Sequence, residues 1–373
     1  MGYIAARSAM SSFRLVTKAP AVRSALTKPA AYRMPLQSRA FSMTIPRASR
    51  KNEVIKETEV PVSIYSPDGK STIAGPDHFS IPVKAAPSPA VAPPSNDESD
   101  EVVPLSSNVY KSMSPTMQRM SVMGKVIIVT GGARGLGNHM ARACAEAGAK
   151  ALVIFDANQD LGDEAAEELH RKSGIDVSFF KVDVRDGNAI NAAVEQVVNL
   201  YGAPDVLVNS AGIADSNIKA ENYDPAMFRR LIDINLNGSF LMAQSVGRAM
   251  MAAGKPGSII LVASMSGTIV NYPQEQSCYN ASKAGVIQLG KSLAAEWAKY
   301  SIRVNCISPG YMDTALNKVP ALDAQKKIWR SLTPQARLGS VDDLNGLCVF
   351  LASDSSAFMT GSNVLIDGGY TLY

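Results

Sequence analysis

The sequence predicts an α/β protein built on a doubly wound, seven-stranded parallel sheet, and two patterns carry that expectation. From about Asn108 to Tyr373, seven short apolar runs alternate with segments of helical period. The runs are continuously apolar rather than alternating, as strands covered on both faces require. Right-handed crossovers between such strands gather the ligand-binding loops at the carboxyl ends of the sheet.

In chain order, strands are expected at 126–130, 151–156, 177–183, 206–209, 258–264, 302–307 and 364–367. Helices are expected over about 136–148, 159–172, 187–201, 226–253, 277–299 and 341–352. The first strand runs straight into Thr130-Gly131-Gly132-Ala133-Arg134-Gly135-Leu136-Gly137 and then a helix. Glycines there allow a sharp turn and a close backbone approach to a pyrophosphate, and the helix start offers free N–H groups and a positive dipole end. That makes Gly131, Arg134, Gly135, Leu136 and Gly137 candidate cofactor ligands in a single Rossmann-type domain. The spacing is not the common Gly-x-Gly-x-x-Gly, so the strand before and helix after carry the assignment.

Asp156 ends the second strand, 21 residues past Gly135. A carboxylate there accepts hydrogen bonds from the adenosine ribose hydroxyls and repels an added 2′-phosphate. Two like charges at about 4 Å cost roughly 1–4 kcal/mol, about tenfold discrimination or more. Arg134 would attract the same phosphate, but the ribose contact is the more direct, so NAD is favoured over NADP.

Tyr279 and Lys283 stand four positions apart on a patterned helix and therefore share one face. A free phenol with a pKa of about 10 is a poor acid–base group at neutral pH, and a neighbouring ammonium stabilises its anion. Such a pair exchanges a proton with an alcohol or carbonyl while a nicotinamide exchanges hydride. With 12 tyrosines in the chain, Tyr-x-x-x-Lys alone is a weak signal.

It is accompanied by Asp183-Val184, Asn209-Ser210-Ala211-Gly212, Asn235-Leu236-Asn237-Gly238, Ser264, Asn305-x-x-x-Pro309-Gly310, Thr314 and a terminal Thr360-Gly361 with Asp367-Gly368-Gly369. In this ordered set, residues from about 120 to 373 resemble the short-chain dehydrogenase/reductase family. The family usually has Asn where this chain has Ser210. The resemblance implies a catalytic tetrad: Ser264 binds the substrate oxygen, Tyr279 transfers the proton, Lys283 tunes Tyr279 and holds the nicotinamide ribose, and Asn235 holds a relay water. It further implies that Asp183 and Val184 border the adenine, Asn209 the cofactor ribose and Thr314 the carboxamide, with Ala211, Gly212, Pro309 and Gly310 also among the cofactor-binding residues. Ser266 rivals Ser264, because it stands 13 residues before Tyr279, the usual interval, while Ser264 stands 15 before. Ser264 is preferred because it ends its strand and keeps three residues to Gly267, with an insertion around 273–276.

The segment Ser264 to Gln276 resembles fungal polyol dehydrogenases and ketose reductases of the arabinitol, mannitol, sorbose and xylulose type. Asn271, Gln274 and Gln276 are expected to offer amides to a polyhydroxylated chain, the alternative being a solvated loop. Residues 313–333, less patterned, are expected to form a mobile lid. Cys278, beside Tyr279, is read as packing.

Ahead of the domain, residues 1–51 hold ten Lys or Arg and no carboxylate, so a net charge of +4 leaves −6 for residues 52–373. The arm is expected to be a mitochondrial transit peptide directing the protein to the matrix, with a processing site near Arg39-Ala40-Phe41-Ser42. Residues 52–107, rich in Pro and Ser, are expected to be a disordered linker. A mildly acidic body speaks against nucleic-acid binding, and no apolar run approaches the roughly 18 residues of a membrane span. Four scattered cysteines and three separated histidines give no disulfide framework and no metal constellation.

The leading expectation is an oxidoreductase acting on a small polyol or ketose, a homo-oligomer and by resemblance a tetramer. A 3-oxoacyl-thioester reductase is the enzyme alternative, with Arg229, Arg230, Lys326 and Lys327 as the basic residues such a partner would want. A non-catalytic nucleotide-binding scaffold is the alternative from another class.

Overall fold

The computed structural model describes residues 63–65, 71–73, 102–215, 217–314 and 322–372. The expected transit arm lies outside the described residues. Within the expected linker, β1 (Ser63–Tyr65) pairs antiparallel with β2 (Ser71–Ile73), with Ser63 opposite Ile73. This departs from the sheet-free expectation. Its signal is local: Pro67-Asp68-Gly69, a turn tripeptide, lies between two short segments bearing Ile64, Tyr65 and Ile73.

The second unit is ordered from before the expected start at Asn108. Val102 is buried, and the Leu105 N–H donates to Glu146 O at 3.0 Å. Two short helices follow, α1 (Ser107–Ser112) and α2 (Pro115–Arg119), capped by the hydroxyls of Ser106 and Ser114. A Ser at each N-cap satisfies a backbone donor that the helix start would otherwise leave open.

The sheet then alternates with helices along the chain: β3 (Val126–Thr130), α3 (Gly135–Glu146), β4 (Ala151–Asp156), α4 (Gln159–Ser173), β5 (Asp176–Lys181), α5 (Gly187–Tyr201) and β6 (Val206–Asn209). The second half continues with α6 (Pro225–Ile232), α7 (Gly238–Ala252), β7 (Gly257–Val262), α8 (Ser277–Trp297), β8 (Ile302–Pro309), α9 (Asp323–Leu332), α10 (Asn345–Ala352) and β9 (Asn363–Ile366). Sheet order is β5-β4-β3-β6-β7-β8-β9, parallel throughout, which is the expected seven-stranded sheet.

Alternation along β3 divides the core. Val126 and Ile128 pack on the face covered by α5, α7 and α8, through Val194, Val246 and Val286. Ile127 and Val129 pack on the opposite face under α3 and α10, through Met140, Cys348 and Leu351. Each such side chain, fully buried, contributes roughly 1.5–3 kcal/mol. Strand order reverses between β3 and β6, so the loops after these strands separate and leave a crevice at their carboxyl ends.

The expected single helix over 226–253 is two helices, α6 and α7, joined by a π turn at Asp233–Asn237. The wide turn swings Asn235 inward, where it is buried. Sequence periodicity runs through the junction unbroken, whereas the backbone does not; π turns recur at functional sites for this kind of reorientation.

Candidate active site

The crevice begins at the glycine loop. Gly131 and Gly135 have φ of 61° and 62°, a region that suits glycine. A Cβ on Gly131 would stand 2.9 Å from Ala211 Cα, and one on Gly137 would collide with the Gly131 carbonyl oxygen. Gly135, by contrast, faces open space. The start of α3 has no side-chain cap, and its first turn holds no carboxylate. Thr130 Oγ1 donates to Asn209 Oδ1 at 2.8 Å and accepts from Ala211 N at 3.0 Å, tying the loops after β3 and β6 together.

This cradle fits a dinucleotide on its own features. The backbone packs closely at Gly131 and Gly137 while Gly135 faces open space, the start of α3 has no side-chain cap, and buried Asn209 Nδ2 has no partner. The Asp156 carboxylate sits at the end of β4, where it accepts from Ala133 N at 3.3 Å and Asn158 N at 3.1 Å. Arg134 is exposed nearby in the loop. Val184 is buried, whereas Asp183 is engaged by Arg185 Nε at 3.0 and 3.1 Å, which with its guanidinium holds the carboxyl below its ordinary range. Asp183 is thus already spoken for by a neighbouring cation, a pairing the adenine role did not anticipate. Asn209 likewise points its oxygen at Thr130, so only its amide nitrogen is free. Pro309 ends β8, Gly310 after it donates its N–H to Ile366 O at 3.0 Å, and Thr314 lies just before the undescribed residues 315–321.

On the other side of the crevice, the turn after β7 lies against α8. A Cβ on Gly267 would stand 2.7 Å from Ala284 N and from the Lys283 carbonyl carbon, so only glycine permits this approach. It brings Ser264, Tyr279 and Lys283 together. Lys283 is buried; its Nζ donates to Val262 O at 2.8 Å and lies 5.7 Å from the Tyr279 ring centre. Burial pushes the Lys283 ammonium down to about 8. Burial also pushes the Tyr279 phenol above its ordinary value, and its hydrogen bond with Ser264 opposes that shift. Without coenzyme, burial is thus the largest influence on the Tyr279 phenol and favours its neutral form.

Of the two serines, Ser264 is the one in contact with Tyr279, and Ser266 stands behind it. Ser264 Oγ donates to Ser266 Oγ at 3.1 Å and accepts from Ser266 N at 3.1 Å. Asn235 Oδ1 accepts from Ile213 N, and its Nδ2 donates to Ile213 O, both at 2.9 Å; Nδ2 also reaches Ser282 Oγ at 3.1 Å. Asn235 thereby pins the loop after β6 to the catalytic helix. Gly212 on that loop is exposed and faces Lys283, since a Cβ there would stand 3.6 Å from Nζ.

Three expectations around the substrate side change. Asn271 and Gln276 are buried and bonded to one another, Gln276 Nε2 to Asn271 Oδ1 at 2.7 Å, rather than turned toward a ligand. Gln274 Oε1 accepts from Tyr311 Oη at 2.8 Å. Within the expected lid, residues 323–332 form α9, whose buried Trp329 stacks on Tyr311 at 4.1 Å. Tyr311, Trp329 and Ser282 had no sequence signal beyond their position; an aromatic directly after Pro309-Gly310 was the one available clue. Arg229 and Arg230 are exposed on α6, and Lys326 pairs with Asp323 at 3.6 Å. Cys278 is buried, as are the other three cysteines, and all four are free thiols. Among the described residues, no group of three or more His, Cys, Asp or Glu is placed to hold a metal, and no helix is long and apolar enough to cross a membrane.

A family model described as enoyl-(acyl carrier protein) reductase matches residues 131–371. The chain is 40% identical over 263 residues to an NADP-dependent mannitol dehydrogenase of Hypocrea jecorina, covering 69% of this chain and 97% of the relative. It is 39% identical over 251 residues to a sorbose reductase of Schizosaccharomyces pombe, covering 67% of this chain and 97% of the relative. Among solved structures, a gluconate 5-dehydrogenase from Burkholderia cenocepacia in complex with NADP and tartrate superposes with a TM-score of 0.65 at 35% identity, over 69% of this chain and 99% of that one. With the reversed sheet order, the glycine cradle and the Ser264–Tyr279–Lys283 grouping, these likenesses make the chain a member of the short-chain dehydrogenase/reductase family.

Proposed function

We propose that this chain is a nicotinamide-dependent oxidoreductase that interconverts a sugar alcohol and its ketose. The observation that carries the reading is the convergence of Ser264, Tyr279 and Lys283 on a crevice whose far wall is the glycine cradle. A bound nicotinamide would supply the hydride exchange. Gly131, Gly135 and Gly137 would seat its pyrophosphate, and Asp156 its adenosine ribose. Ser264 and Tyr279 present two hydroxyls to one substrate oxygen, so the oxygen is held while Tyr279 Oη accepts or returns the proton. Lys283 lowers the cost of the phenolate as it forms, and Asn235 keeps the Ile213 loop and α8 in register. The mannitol and sorbose activities named for the two relatives support a polyhydroxylated substrate.

We read the coenzyme preference as NAD, on the carboxylate of Asp156. Both the named mannitol dehydrogenase and the solved gluconate dehydrogenase complex carry NADP, so each coenzyme enters the test. Purified protein is assayed with NAD and NADP against mannitol, D-arabinitol, galactitol and xylitol, and in reverse against the ketoses. Turnover of 3-oxoacyl thioesters alone would replace this reading with acyl reduction. Nucleotide binding without turnover of any pair would leave the scaffold.

Residues 1–51 we assign as a mitochondrial transit peptide, on ten basic residues without a carboxylate. A fluorescent fusion of the full chain should enter mitochondria and lose this arm; a cytosolic, unprocessed fusion would end the assignment. The homotetramer is likewise a proposal, checked by the mass of the purified protein in sedimentation.

A further inference from the structure

Ser264 and Tyr279 stand on different elements, the turn after β7 and the first turn of α8, and their mutual position decides whether both hydroxyls meet one substrate oxygen. One side chain spans the two elements. Gln276 is the residue immediately before α8, and its buried Nε2 lies 3.2 Å from Ser266 Oγ. Ser266 in turn accepts from Ser264 Oγ and donates its N–H to it. The same nitrogen meets Asn271 Oδ1 at 2.7 Å and Asn280 Oδ1 at 3.0 Å, so three acceptors share two protons. Asn271 is held from the far side: its Nδ2 donates to Tyr311 Oη at 3.0 Å, and Tyr311 is stacked on Trp329 of α9.

We propose that Gln276 is a positioning residue for the reaction, clamping Ser264 to the helix that carries Tyr279 by way of Ser266, with Asn271 and Tyr311 fixing the clamp from behind. This rests on the reading of Ser264 and Tyr279 as the reacting hydroxyls. The chemistry asks for an amide. Nε2 donates to Ser266 and Asn271 together, which a hydroxyl or a carboxylate at this position cannot do. A carboxylate would demand the Ser266 proton and bring negative charge beside the phenol, disfavouring its anion. Buried Gln276 acts through Ser266.

The test compares Gln276→Ala, Gln276→Glu and Ser266→Ala with the unchanged full-length protein. Each is assayed with NAD and NADP on whichever of mannitol, D-arabinitol, galactitol or xylitol turns over fastest. Misplacing a reacting group by about 1 Å costs up to about a hundredfold, so Gln276→Ala and Ser266→Ala should each lower kcat about ten- to a hundredfold. Their effects should not multiply when combined, because both break one linkage. Coenzyme dissociation constants should stay within about twofold. Gln276→Glu should move the alkaline-rising limb of alcohol oxidation upward by about one pH unit, which loss of packing alone does not do. Should Gln276→Ala not fold, Ser266→Ala and Gln276→Glu carry the same comparison. Unchanged kcat and an unchanged pH limb, with Ser264→Ala inactive, would overturn the clamp and leave the serine–tyrosine pair standing. An active Ser264→Ala would instead remove the reading on which the clamp rests.

Discussion

Lys283 reaches one turn along α8 toward Tyr279, with Nζ 5.7 Å from the phenol ring centre, yet its hydrogen bond runs to the Val262 carbonyl at 2.8 Å. The lysine is therefore bound to the sheet first and to the tyrosine second. Its amine is held near a pKa of about 8 by burial, against 10.5 in water. A folded protein that binds this proton more weakly than its unfolded chain gains stability as pH rises between those two values. The stabilisation is complete above about 10.5 and is lost as pH falls through about 8. It amounts to about 3 kcal/mol at most. In urea unfolding from about pH 7 to about pH 10.5, the wild type should gain roughly that much relative to Lys283→Met. A difference between the two proteins that stays flat with pH would show that the lysine does not titrate in this window.

Tyr279 has the opposite burden. Burial favours its neutral form, so oxidation of an alcohol, which needs a proton acceptor, should rise with pH through the phenol's titration, while ketone reduction should fall over the same range. Tyr279→Phe keeps the ring and removes the oxygen. It should lower turnover at least about a hundredfold while leaving nucleotide affinity, measured by fluorescence quenching, nearly unchanged. Equal loss of both quantities would make the residue structural.

Asp156 does two jobs that a mutation separates. Its oxygens brace Ala133 and Asn158, and on the proposed reading its charge would meet the adenosine ribose. Asp156→Ser should raise the NADP-to-NAD ratio of kcat/KM about tenfold or more, the size of a charge repulsion partly screened by water. Asp156→Asn retains acceptor oxygen without the charge and should shift the ratio in the same direction with less disturbance of the loop. An unchanged ratio in both variants would overturn the ribose assignment and leave Asp156 as a loop brace.

Much of this molecule was legible before any coordinates. Strands such as Val126–Thr130 and Ala151–Asp156 announce themselves because an apolar run buried on both faces has few alternative fates. The glycine loop, Tyr279 and Lys283 were legible because their spacing is tied to backbone geometry. What escaped was decided by tertiary contact. The π turn at Asp233–Asn237 leaves the helical pattern of Arg229 to Phe240 intact, so periodicity reads it as one helix. Asn271, Gln274 and Gln276 are polar in a loop and read as facing a ligand or water. Asn271 and Gln274 are instead bonded to Tyr311, which arrives from 40 and 37 residues away, and Gln276 is bonded to Asn271. The burial that raises the Tyr279 phenol in the ligand-free chain is likewise a tertiary effect. Spacing reveals the cation beside it but not the desolvation around both.

Asn235 offers the sharpest separation of scaffold from chemistry. Its amide accepts from Ile213 N, donates to Ile213 O and reaches Ser282 Oγ, all within a site only 1% exposed. Asn235→Ala removes the partner of the half-buried Ile213 N–H and of its carbonyl at once, at a cost of roughly 1–3 kcal/mol. Asn235→Asp preserves shape and can still accept from Ile213 N, but it cannot donate to the carbonyl while ionised. Both variants should lower the unfolding temperature, alanine by more at neutral pH than aspartate at a pH low enough to protonate it. If Asn235 also supports proton transfer, Asn235→Asp should lose turnover beyond what its folded fraction explains, read as kcat per folded molecule under conditions where circular dichroism shows the fold intact. Turnover that tracks the folded fraction alone would confine Asn235 to pinning the Ile213 loop against α8.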